Sequence, residues 1–347
     1  MTDPDLRRVS VSACAALLLI ALASLSLWAV LAGPFPLSLR DLHQALGGGP
    51  ALGPAQHSVL FRLRLPRLVG AIGIGGALAI AGCTFQAVLR NPLADPSFIG
   101  VSGGAAVAAA ACLAALGHLH FIALPPQILI AVAALAGGLA CAALVLRISR
   151  IDGDAQPITL LLAGLAINAL AGGLLGLIAY SASDPTLRAI TVWLFGSLDR
   201  AGWPELAVAM PAIALASVLL WRMAPSLNAL LLGEAEAAHI GVDVATIKRN
   251  AIVLAVVCAA CAVALAGVIG FIGLMVPHML RMLIGPDHRG LMPLSFLGGA
   301  ALLVLADTIA RIAVQPAEIP VGILCALLGA PFFLGLLLRW RRNPVLA

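Results

Sequence analysis

Lysine is almost missing from this sequence of 347 residues, in which Lys248 is the only example. The phosphate-binding loop of ATPases has the pattern Gly-x-x-x-x-Gly-Lys-Ser/Thr, because backbone amides surround the phosphates and the lysine reaches the terminal one. Lys248 stands between Ile247 and Arg249, outside any such pattern. The chain therefore does not supply this ATPase site itself, and any uphill process must be driven by a partner subunit or an ion gradient.

Charged residues are also few. Asp, Glu, Lys and Arg make up 10% of the chain and hydrophobic residues 62%, with a mean hydropathy of +1.09. Soluble domains contain roughly 25% charged residues, so this composition indicates an integral membrane protein. The alternation of polar and apolar residues that is typical of membrane barrel strands is missing. Because helices satisfy their own backbone hydrogen bonds in lipid, the predicted fold class is all-α.

The cysteine pattern indicates neither a disulfide framework nor a metal site. Seven cysteines lie inside apolar stretches at irregular spacing. Cys258 and Cys261 form a C-x-x-C pattern, but no second pair of ligands accompanies them. We predict no bound metal and no catalytic residue in this chain.

Apolar stretches long enough for membrane helices fill most of the chain, since a transmembrane helix needs about 20 such residues. We predict a single transmembrane domain over residues 1–347, with a bundle of ten helices. The spans are 9–33, 65–89, 97–117, 121–147, 158–181, 205–222, 252–270, 272–285, 290–313 and 320–340. The first is too long for a typical signal-peptide core, so we expect it to be an uncleaved helix.

Two further segments are predicted to be short helices outside the bundle. Residues 187–198, which follow Asp184-Pro185, are half apolar and are expected to lie at the outer surface after segment five. Residues 233–241 form an alanine-rich acidic stretch between glycines, typical of a short amphipathic helix parallel to the membrane. That helix is suited to insertion into a soluble motor subunit, although an ordinary solvated loop has the same composition.

The basic residues predict the orientation. Ten crossings put both termini on one side, and with the amino terminus inside, 13 of the 20 basic residues fall on the cytoplasmic side. The positive-inside rule therefore predicts that both termini are cytoplasmic. The outer exceptions include Arg62, Arg64 and Arg67 before segment two and Arg311 at the end of segment nine. They are either interfacial side chains that reach lipid headgroups or a docking surface for an acidic partner.

Acidic residues within the spans decide whether an ion-coupled carrier is plausible, because proton relays use them. Asp307 is the best candidate, but Arg311 follows four residues later, which predicts an ion pair within one helix. Glu318 and His278 are isolated cases near the ends of spans. The lack of a chain of acids argues against a proton pump.

A series of motifs runs in order from about residue 60 to the carboxyl end. The first are Arg-Leu-Pro-Arg at residues 64–67 and the segment 76–86, which leads into Asn-Pro-Leu-Ala-Asp-Pro at residues 91–96. Two short motifs with a clear pattern follow later, Gly233-Glu234 with Ile240-Gly241 and Asp-His-Arg at residues 287–289. The remaining motifs occupy residues 100–104, 160–164, 193–197, 270–281, 305–311, 318–322 and 329–331. With these motifs the chain resembles the FecCD-type permeases of bacterial ABC importers for iron siderophores, haem and vitamin B12.

The resemblance implies ten transmembrane helices per subunit and a homodimer with the transport pathway at its two-fold interface. It also implies two cytoplasmic ATPase subunits, which bind ATP and Mg, and a periplasmic substrate-binding protein. The location is the bacterial inner membrane. We expect no cofactor on this chain, which is a transport subunit and not an enzyme, and no nucleic-acid partner.

The resemblance also implies roles for particular residues. The binding protein is expected to dock on Arg64, Arg67 and Arg311. The ATPase subunit is expected to contact the coupling segment at Gly233, Glu234, Ala237, Ala238 and Gly241. A cytoplasmic gate is expected at Asn91, Leu93, Gln156 and Pro157. Along the pathway we expect Asn168, Tyr180, Arg188 and Arg200.

These expectations together predict an importer that moves an iron chelate by alternating access. Haem is the first substrate hypothesis, because segment five is largely apolar and Arg188 and Arg200 suit two carboxylates. A ferric siderophore or vitamin B12 fits the same machinery, and an ion-coupled secondary transporter remains an alternative. His118 and His120 could bind haem iron, but a loop H-x-H is usually a plain surface feature.

Overall fold

The structure is a computed structural model, and it describes residues 9–48, 52–116, 124–151, 154–155, 157–315 and 317–342. The predicted all-α class is confirmed. The α-helices are α1 (Val11–Leu31), α2 (Leu39–Ala45), α3 (Pro54–Ser58), α4 (Leu65–Val88), α5 (Val101–Ala115), α6 (Pro126–Ile148), α7 (Pro157–Ser181), α8 (Asp184–Leu194), α9 (Trp203–Arg222), α10 (Ala224–Leu232), α11 (Glu234–His239), α12 (Val244–Ala266), α13 (Ile272–Ile284), α14 (His288–Ile312) and α15 (Val321–Arg342).

Three smaller elements join these helices. A π-helix, Val59–Arg64, connects α3 to α4, and a 3₁₀ helix, Pro96–Ile99, precedes α5. Two-residue strands, Arg150–Ile151 and Asp154–Ala155, form an antiparallel pair just before α7.

Each of the ten predicted spans overlaps one apolar helix. Seven described helices are long and apolar enough to cross a membrane, and three shorter apolar helices, Val101–Ala115, Ile272–Ile284 and Val321–Gly335, match the remaining spans. The ten-helix prediction is therefore compatible with the fold. The predicted short helices are also present, as α8 after segment five and as α11 within residues 233–241.

Two helices begin earlier than predicted. Helix α12 starts at Val244 instead of residue 252, because the Asp243 carboxylate caps it by accepting a hydrogen bond from the Thr246 amide at 3.1 Å. The second span is continuous from Pro54 to Val88, since the arginine-bearing residues before residue 65 remain helical. In both cases the helix continues through polar residues that a hydrophobicity pattern leaves out.

Small residues bring α4 close to its neighbours, as their density at 70–82 predicts. A Cβ on Gly75 would lie 2.3 Å from the Gly299 oxygen of α14, and a Cβ on Gly82 would lie 1.8 Å from the Gly273 oxygen of α13. The second glycine-rich stretch, 164–176, behaves differently. Only its first glycine is packed closely, and Gly172, Gly173 and Gly176 have no atom of this chain near the Cβ position.

A break in the backbone separates α12 from α13. Gly267 has φ +72° and would place a Cβ 2.1 Å from the Trp193 oxygen, and Phe271 has φ +69° immediately before α13. Helix α13 then starts beside Gly82, in the last two turns of α4. Its 13 residues span only about 20 Å. This explains why the sequence shows one span too short for a full crossing.

Helices α4, α9, α12 and α14 connect two ends of the bundle that carry different polar clusters. The end with Arg67, Arg311 and the start of α9 is called the arginine end below. The opposite end carries α11, the α13–α14 connection and the loop after α4, and is called the α11 end.

Candidate functional site

A cavity of about 1000 Å³ opens at the arginine end, and we call it the vestibule. Its walls come from the π-helix, the start of α4, the α8–α9 connection, the start of α6 and the end of α14. The charged lining residues are Arg62, Arg64, Arg67, Arg200 and Arg311 together with Asp199, Glu205 and Glu318. The vestibule therefore gathers both signs of charge, with arginine in excess.

Arg64 and Arg311 are buried within the chain, with 6% of each residue exposed. Their guanidinium groups donate hydrogen bonds to carbonyls at the end of α1 and just beyond it. The acceptors are Val30, Leu31 and Phe35 for Arg64, and Ala29 and Ala32 for Arg311. The last carbonyls of a helix lack intrahelical donors and carry its negative dipole end, so two cations stabilise the end of α1.

Arg67 joins two acids. Its Nε lies 2.9 Å from Asp307 Oδ1, and its Nη1 lies 2.8 Å from Glu318 Oε2. Asp307 Oδ2 is also 3.2 Å from Arg311 Nε, which confirms the ion pair predicted within α14. Asp307 is therefore shared by two arginines, and only Glu318 is substantially exposed. Docking by the three arginines stays a prediction, but most of their donors are already bonded within the chain.

Two vestibule arginines have no hydrogen-bond or ion-pair partner among the described residues. Arg62 projects from the exposed side of the π-helix, and Arg200 buries its Nη1 without an acceptor. Arg200 also lines a small adjoining cavity beside Trp193 and the end of α12. Arg188, in contrast, lies on an exposed part of α8 and is not among the vestibule residues. Of the two predicted outer pathway arginines, Arg200 alone faces this cavity.

Helix α7 exposes much of its apolar length. Leu162, Leu165 and Leu177 are each more than 60% exposed, and Tyr180 is 91% exposed. Asn168, the other predicted pathway residue on this helix, donates through Nδ2 to the Ser97 carbonyl at 3.0 Å. Asn168 thus supports the 3₁₀ helix, while Tyr180 is free at the surface of this chain.

The loop after α4 folds through side-chain turns. The Leu93 amide donates to Asn91 Oδ1 and the Ser97 amide to Asp95 Oδ1, both at 2.9 Å. Burial raises the pKa of Asp95, and the hydrogen bonds from Ser97 partly offset that effect. With Gly270 and Gly273, Asp95 and Ser97 line a cavity of about 40 Å³. Gln156 lies outside the described residues, and Pro157 is the first residue of α7.

The coupling segment is a turn of helix between two glycines that have left-handed φ. Gly233 has φ +131° and Gly241 has φ +88°. Glu234 Oε1 lies 3.1 Å from the ammonium of Lys248, and Ala237 is fully buried against α10 and α12. Ala238 and Ile240 point outward, with Ile240 63% exposed. The residues assigned to this segment therefore divide into an inner and an outer set.

A second polar cluster at the α11 end was missed by the sequence analysis. Asp287 caps α14 by accepting from the Arg289 amide at 2.9 Å, and it also accepts from Asn228 Nδ2 at 2.6 Å. Asn228 Oδ1 in turn accepts from His288, and Trp221 Nε1 donates to the Arg289 carbonyl. These bonds hold α9, α10 and α14 together. The available signal was the Asp-His-Arg motif, whose partner Asn228 lies far away in sequence.

Other predicted features fall outside these clusters. The histidines at 118 and 120 lie outside the described residues. In the part of the chain that the structure describes, no group of three or more histidine, cysteine or acidic side chains is arranged to hold a metal ion.

Comparison with known proteins relates this geometry to a family. The FecCD transport family matches residues 17–339. The hemin transport system permease HmuU of Yersinia pestis is 43% identical over 94% of this chain and 95% of its own length. The cobalamin import permease BtuC of Halobacterium salinarum is 39% identical over 97% and 98%. The Fe(3+) dicitrate permease FecD of Escherichia coli is 38% identical over 93% and 97%.

A solved structure is also similar to this fold. It is an inward-facing metal-chelate type ABC transporter, 32% identical in sequence, with a TM-score of 0.82 over 94% of this chain and 99% of its own. The similarity covers nearly the whole length of the chain in sequence and in structure. This chain therefore belongs to the FecCD transport family.

Proposed function

We propose that this chain is the permease subunit of an ATP-driven importer that moves a chelate across the bacterial inner membrane. The observation that carries the proposal is the arrangement of two different polar ends on one helical bundle. One end has an arginine-lined vestibule of about 1000 Å³ and the other an exposed short helix between glycines. The relatives named for hemin, cobalamin and ferric dicitrate support the same activity.

In this proposal the arginine end faces the periplasm and the α11 end faces the cytoplasm, so that both termini are cytoplasmic. The charge distribution supports the orientation, because most basic residues then lie inside. One transmembrane domain covers residues 1–347. ATP and Mg belong to the partner ATPase, and the chain binds no cofactor itself.

Two copies of the chain are proposed to pair around the pathway. The exposed apolar face of α7 supports this, because its glycines Gly172, Gly173 and Gly176 are open and let another helix approach closely. Asn168 and Tyr180 belong to the same helix, at the edge of the proposed pathway. Two ATPase subunits then dock on the outward residues of α11, including Ala238 and Ile240.

A periplasmic binding protein is proposed to dock at the vestibule rim through Arg64, Arg67 and Arg311. Among these, Arg67 is the most accessible, because its partner Glu318 is exposed. An acid on the binding protein would compete with Glu318 for the same guanidinium.

Arg67→Gln should weaken the affinity for the binding protein, as measured by surface plasmon resonance on nanodiscs. Arg188→Gln, on an exposed part of α8, should not weaken it. Equal affinities of the binding protein for the wild type and both variants would contradict docking at Arg67.

Haem is the proposed substrate, with a ferric siderophore or vitamin B12 as alternatives. The apolar face of α7 suits a flat macrocycle, and the unpaired donors of Arg62 and Arg200 suit carboxylates. An anionic siderophore would use the same cations. The relatives carry different chelates, so transport assays and not similarity decide among these substrates.

The proposed mechanism is alternating access. ATP binding and hydrolysis change the separation of the two α11 helices, and this biases which end of the dimer is open. Nucleotide can shift that equilibrium only if it binds the two conformations with different affinity. An ion-coupled carrier is a weaker explanation, because Asp307 is held by Arg67 and Arg311.

The test is transport in liposomes that contain the chain with its ATPase subunit. Haem, a ferric siderophore and vitamin B12 are each supplied with a matching binding protein, and ATP-dependent uptake is measured. Uptake of haem alone would support the proposal down to its substrate. ATP-dependent uptake of another chelate would support the importer function but contradict haem as the substrate. Uptake without ATP dependence would favour the ion-coupled carrier.

A further inference from the structure

The single lysine of the chain ties the coupling segment to the central helix α12. Lys248 is only 5% exposed, and its ammonium lies 3.1 Å from Glu234 Oε1. Glu234 is the first residue of α11, and Lys248 lies in the second turn of α12. A lysine at a membrane surface ordinarily extends its flexible chain to place the ammonium in water. Here the ammonium instead turns inward to meet one carboxylate.

Glycines at both ends of α11 give its connections conformational freedom. The helix has six residues and lies between Gly233 at φ +131° and Gly241 at φ +88°. Glycine is the residue that adopts such angles without steric cost, so both connections can change direction easily. Ala237 is buried, but an alanine methyl group fixes position without fixing rotation. Helix α11 also packs against α10. Among the described residues, the ion pair is the polar side-chain contact between α11 and α12.

Helix α12 extends from this ion pair to the opposite end of the bundle. It packs against the strand Asp154–Ala155 and the 3₁₀ helix Pro96–Ile99, two segments that adjoin the expected gate residues in the chain. At its other end the Ala266 carbonyl accepts from the Ser197 amide at 2.8 Å. Most of α12 is buried, so a displacement at its start is transmitted to both the gate and the vestibule wall.

We infer that Glu234 and Lys248 are positioning residues that make α11 and α12 move as one body when a cytoplasmic ATPase pushes on α11. This inference rests on the proposed function and refines it. Glu234 then acts inward, through Lys248, and the ATPase subunit contacts Ala238 and Ile240. Without the ion pair, α11 can still bind its partner, but it rotates about its glycines and α12 does not follow.

The experiment compares Lys248→Met and Glu234→Gln with the reversed pair Glu234→Lys/Lys248→Glu. Arg249→Met is the matched control, since Arg249 is the next residue of α12, is basic and is exposed. Three quantities are measured: copurification of the ATPase subunit, ATP hydrolysed, and substrate transported per ATP. Lys248→Met should keep copurification and hydrolysis but lose about tenfold in transport per ATP. Glu234→Gln should lose as much in transport per ATP, and the reversed pair should regain most of it.

A second measurement needs no partner protein. Hydrogen exchange of residues 234–242 in the isolated chain should be faster in Lys248→Met than in wild type, with exchange in α4 unchanged. The reversed pair should slow it again, and Arg249→Met should leave it unaltered.

Several outcomes would overturn the inference. Unchanged exchange in Lys248→Met would mean that the ion pair does not hold α11. Unchanged transport per ATP in Lys248→Met would mean that the ion pair does not transmit motion. Loss of ATPase copurification in Lys248→Met would make Lys248 part of the docking surface. If wild type itself shows no ATP-dependent transport, the proposed function fails, while the exchange measurement still tests the ion pair.

Discussion

Asp307 connects two arginines at the arginine end. It is buried, it accepts from Arg67 at 2.9 and 3.1 Å, and it lies 3.2 Å from Arg311. Two guanidinium groups therefore share one buried carboxylate, although Arg67 also pairs with Glu318 and Arg311 also donates to carbonyls at the end of α1. Buried charges are stabilising only when they are paired, and removal of one partner leaves the others without compensation.

We expect Asp307→Asn to destabilise the folded chain by about 3 kcal/mol, because Arg67 and Arg311 lose their shared charge in a buried site. Thermal unfolding in detergent measures the change. Glu318→Gln is the control, since Glu318 is exposed and its ion pair with Arg67 should contribute less than about 1 kcal/mol. Equal stability of the two variants would contradict this account.

At the α11 end, Asp287 provides a pH-dependent contribution. Hydrogen bonds from the Arg289 amide and Asn228, together with nearby positive charge, lower the pKa of Asp287 below its ordinary value. A carboxyl whose pKa is lower in the folded state stabilises the fold above its unfolded pKa, near 4, and that stabilisation disappears as the pH falls through the folded pKa.

The expected result for Asp287→Ala is a loss of about 1 kcal/mol near pH 7, as for other helix caps. The difference from wild type should shrink as the pH falls below about 4, because protonated Asp287 no longer accepts strongly. Unfolding curves recorded at several pH values measure this. A difference that is constant across the pH range would show that the carboxylate charge is not responsible.

Among the elements, α4 makes close helix–helix contacts that depend on single glycines. At Gly82 an added Cβ would lie 1.8 Å from a backbone oxygen of α13, which cannot be relieved by a side-chain rotation. The same crossing positions Gln86, whose Nε2 donates to the Leu274 carbonyl at 3.2 Å. The start of α13 is therefore held near the end of α4 by a crossing that tolerates no side chain.

Gly82→Ala should destabilise the chain by at least about 2 kcal/mol, since α4 and α13 must separate to admit the methyl group. Gly335→Ala is the matched control, because Gly335 lies within helix α15 and has no atom near its Cβ position. There alanine should be neutral or slightly stabilising, as its helix propensity is higher. Thermal unfolding of both variants separates the effect of the close helix packing at Gly82 from the effect of helix propensity.

The extent of sequence prediction differs among these elements. The ten apolar segments and the Asp307–Arg311 ion pair were predicted, since both depend on spacing within one helix. The ion pair between Arg67 and Asp307 was not, because 240 residues separate its members. The start of α12 was placed too late for a related reason. Lys248 is polar in sequence, and only its pairing with Glu234 makes it compatible with a buried helix.

At the scale of the whole molecule, α7 is the least covered of the long helices after α1. Gly172, Gly173, Gly176 and several leucines of α7 face outward, whereas Gly164 is packed against the neighbouring 3₁₀ helix. A second copy of the chain is the proposed occupant of this face. A substitution on this face can therefore test the proposed dimer without disturbing the fold of the single chain.

Gly173→Trp should leave the single chain folded, because no atom of this chain lies near the Gly173 Cβ position. The indole ring should block the close approach of another α7, so the protein should elute as a monomer in size-exclusion chromatography with light scattering. Val132→Trp, at an exposed position of α6, is the control and should leave the oligomeric state unaltered. A dimer in both variants would exclude this face as the interface.

The sequence by itself determined the class of protein, the number of apolar segments and the resemblance to a permease family. These properties depend on composition, on period and on short motifs, which are local in the chain. Only the tertiary structure decided which arginines are bonded within the protein, where α13 begins and how α11 is attached. Those features depend on contacts between residues that are distant in sequence, and on the burial that such contacts create.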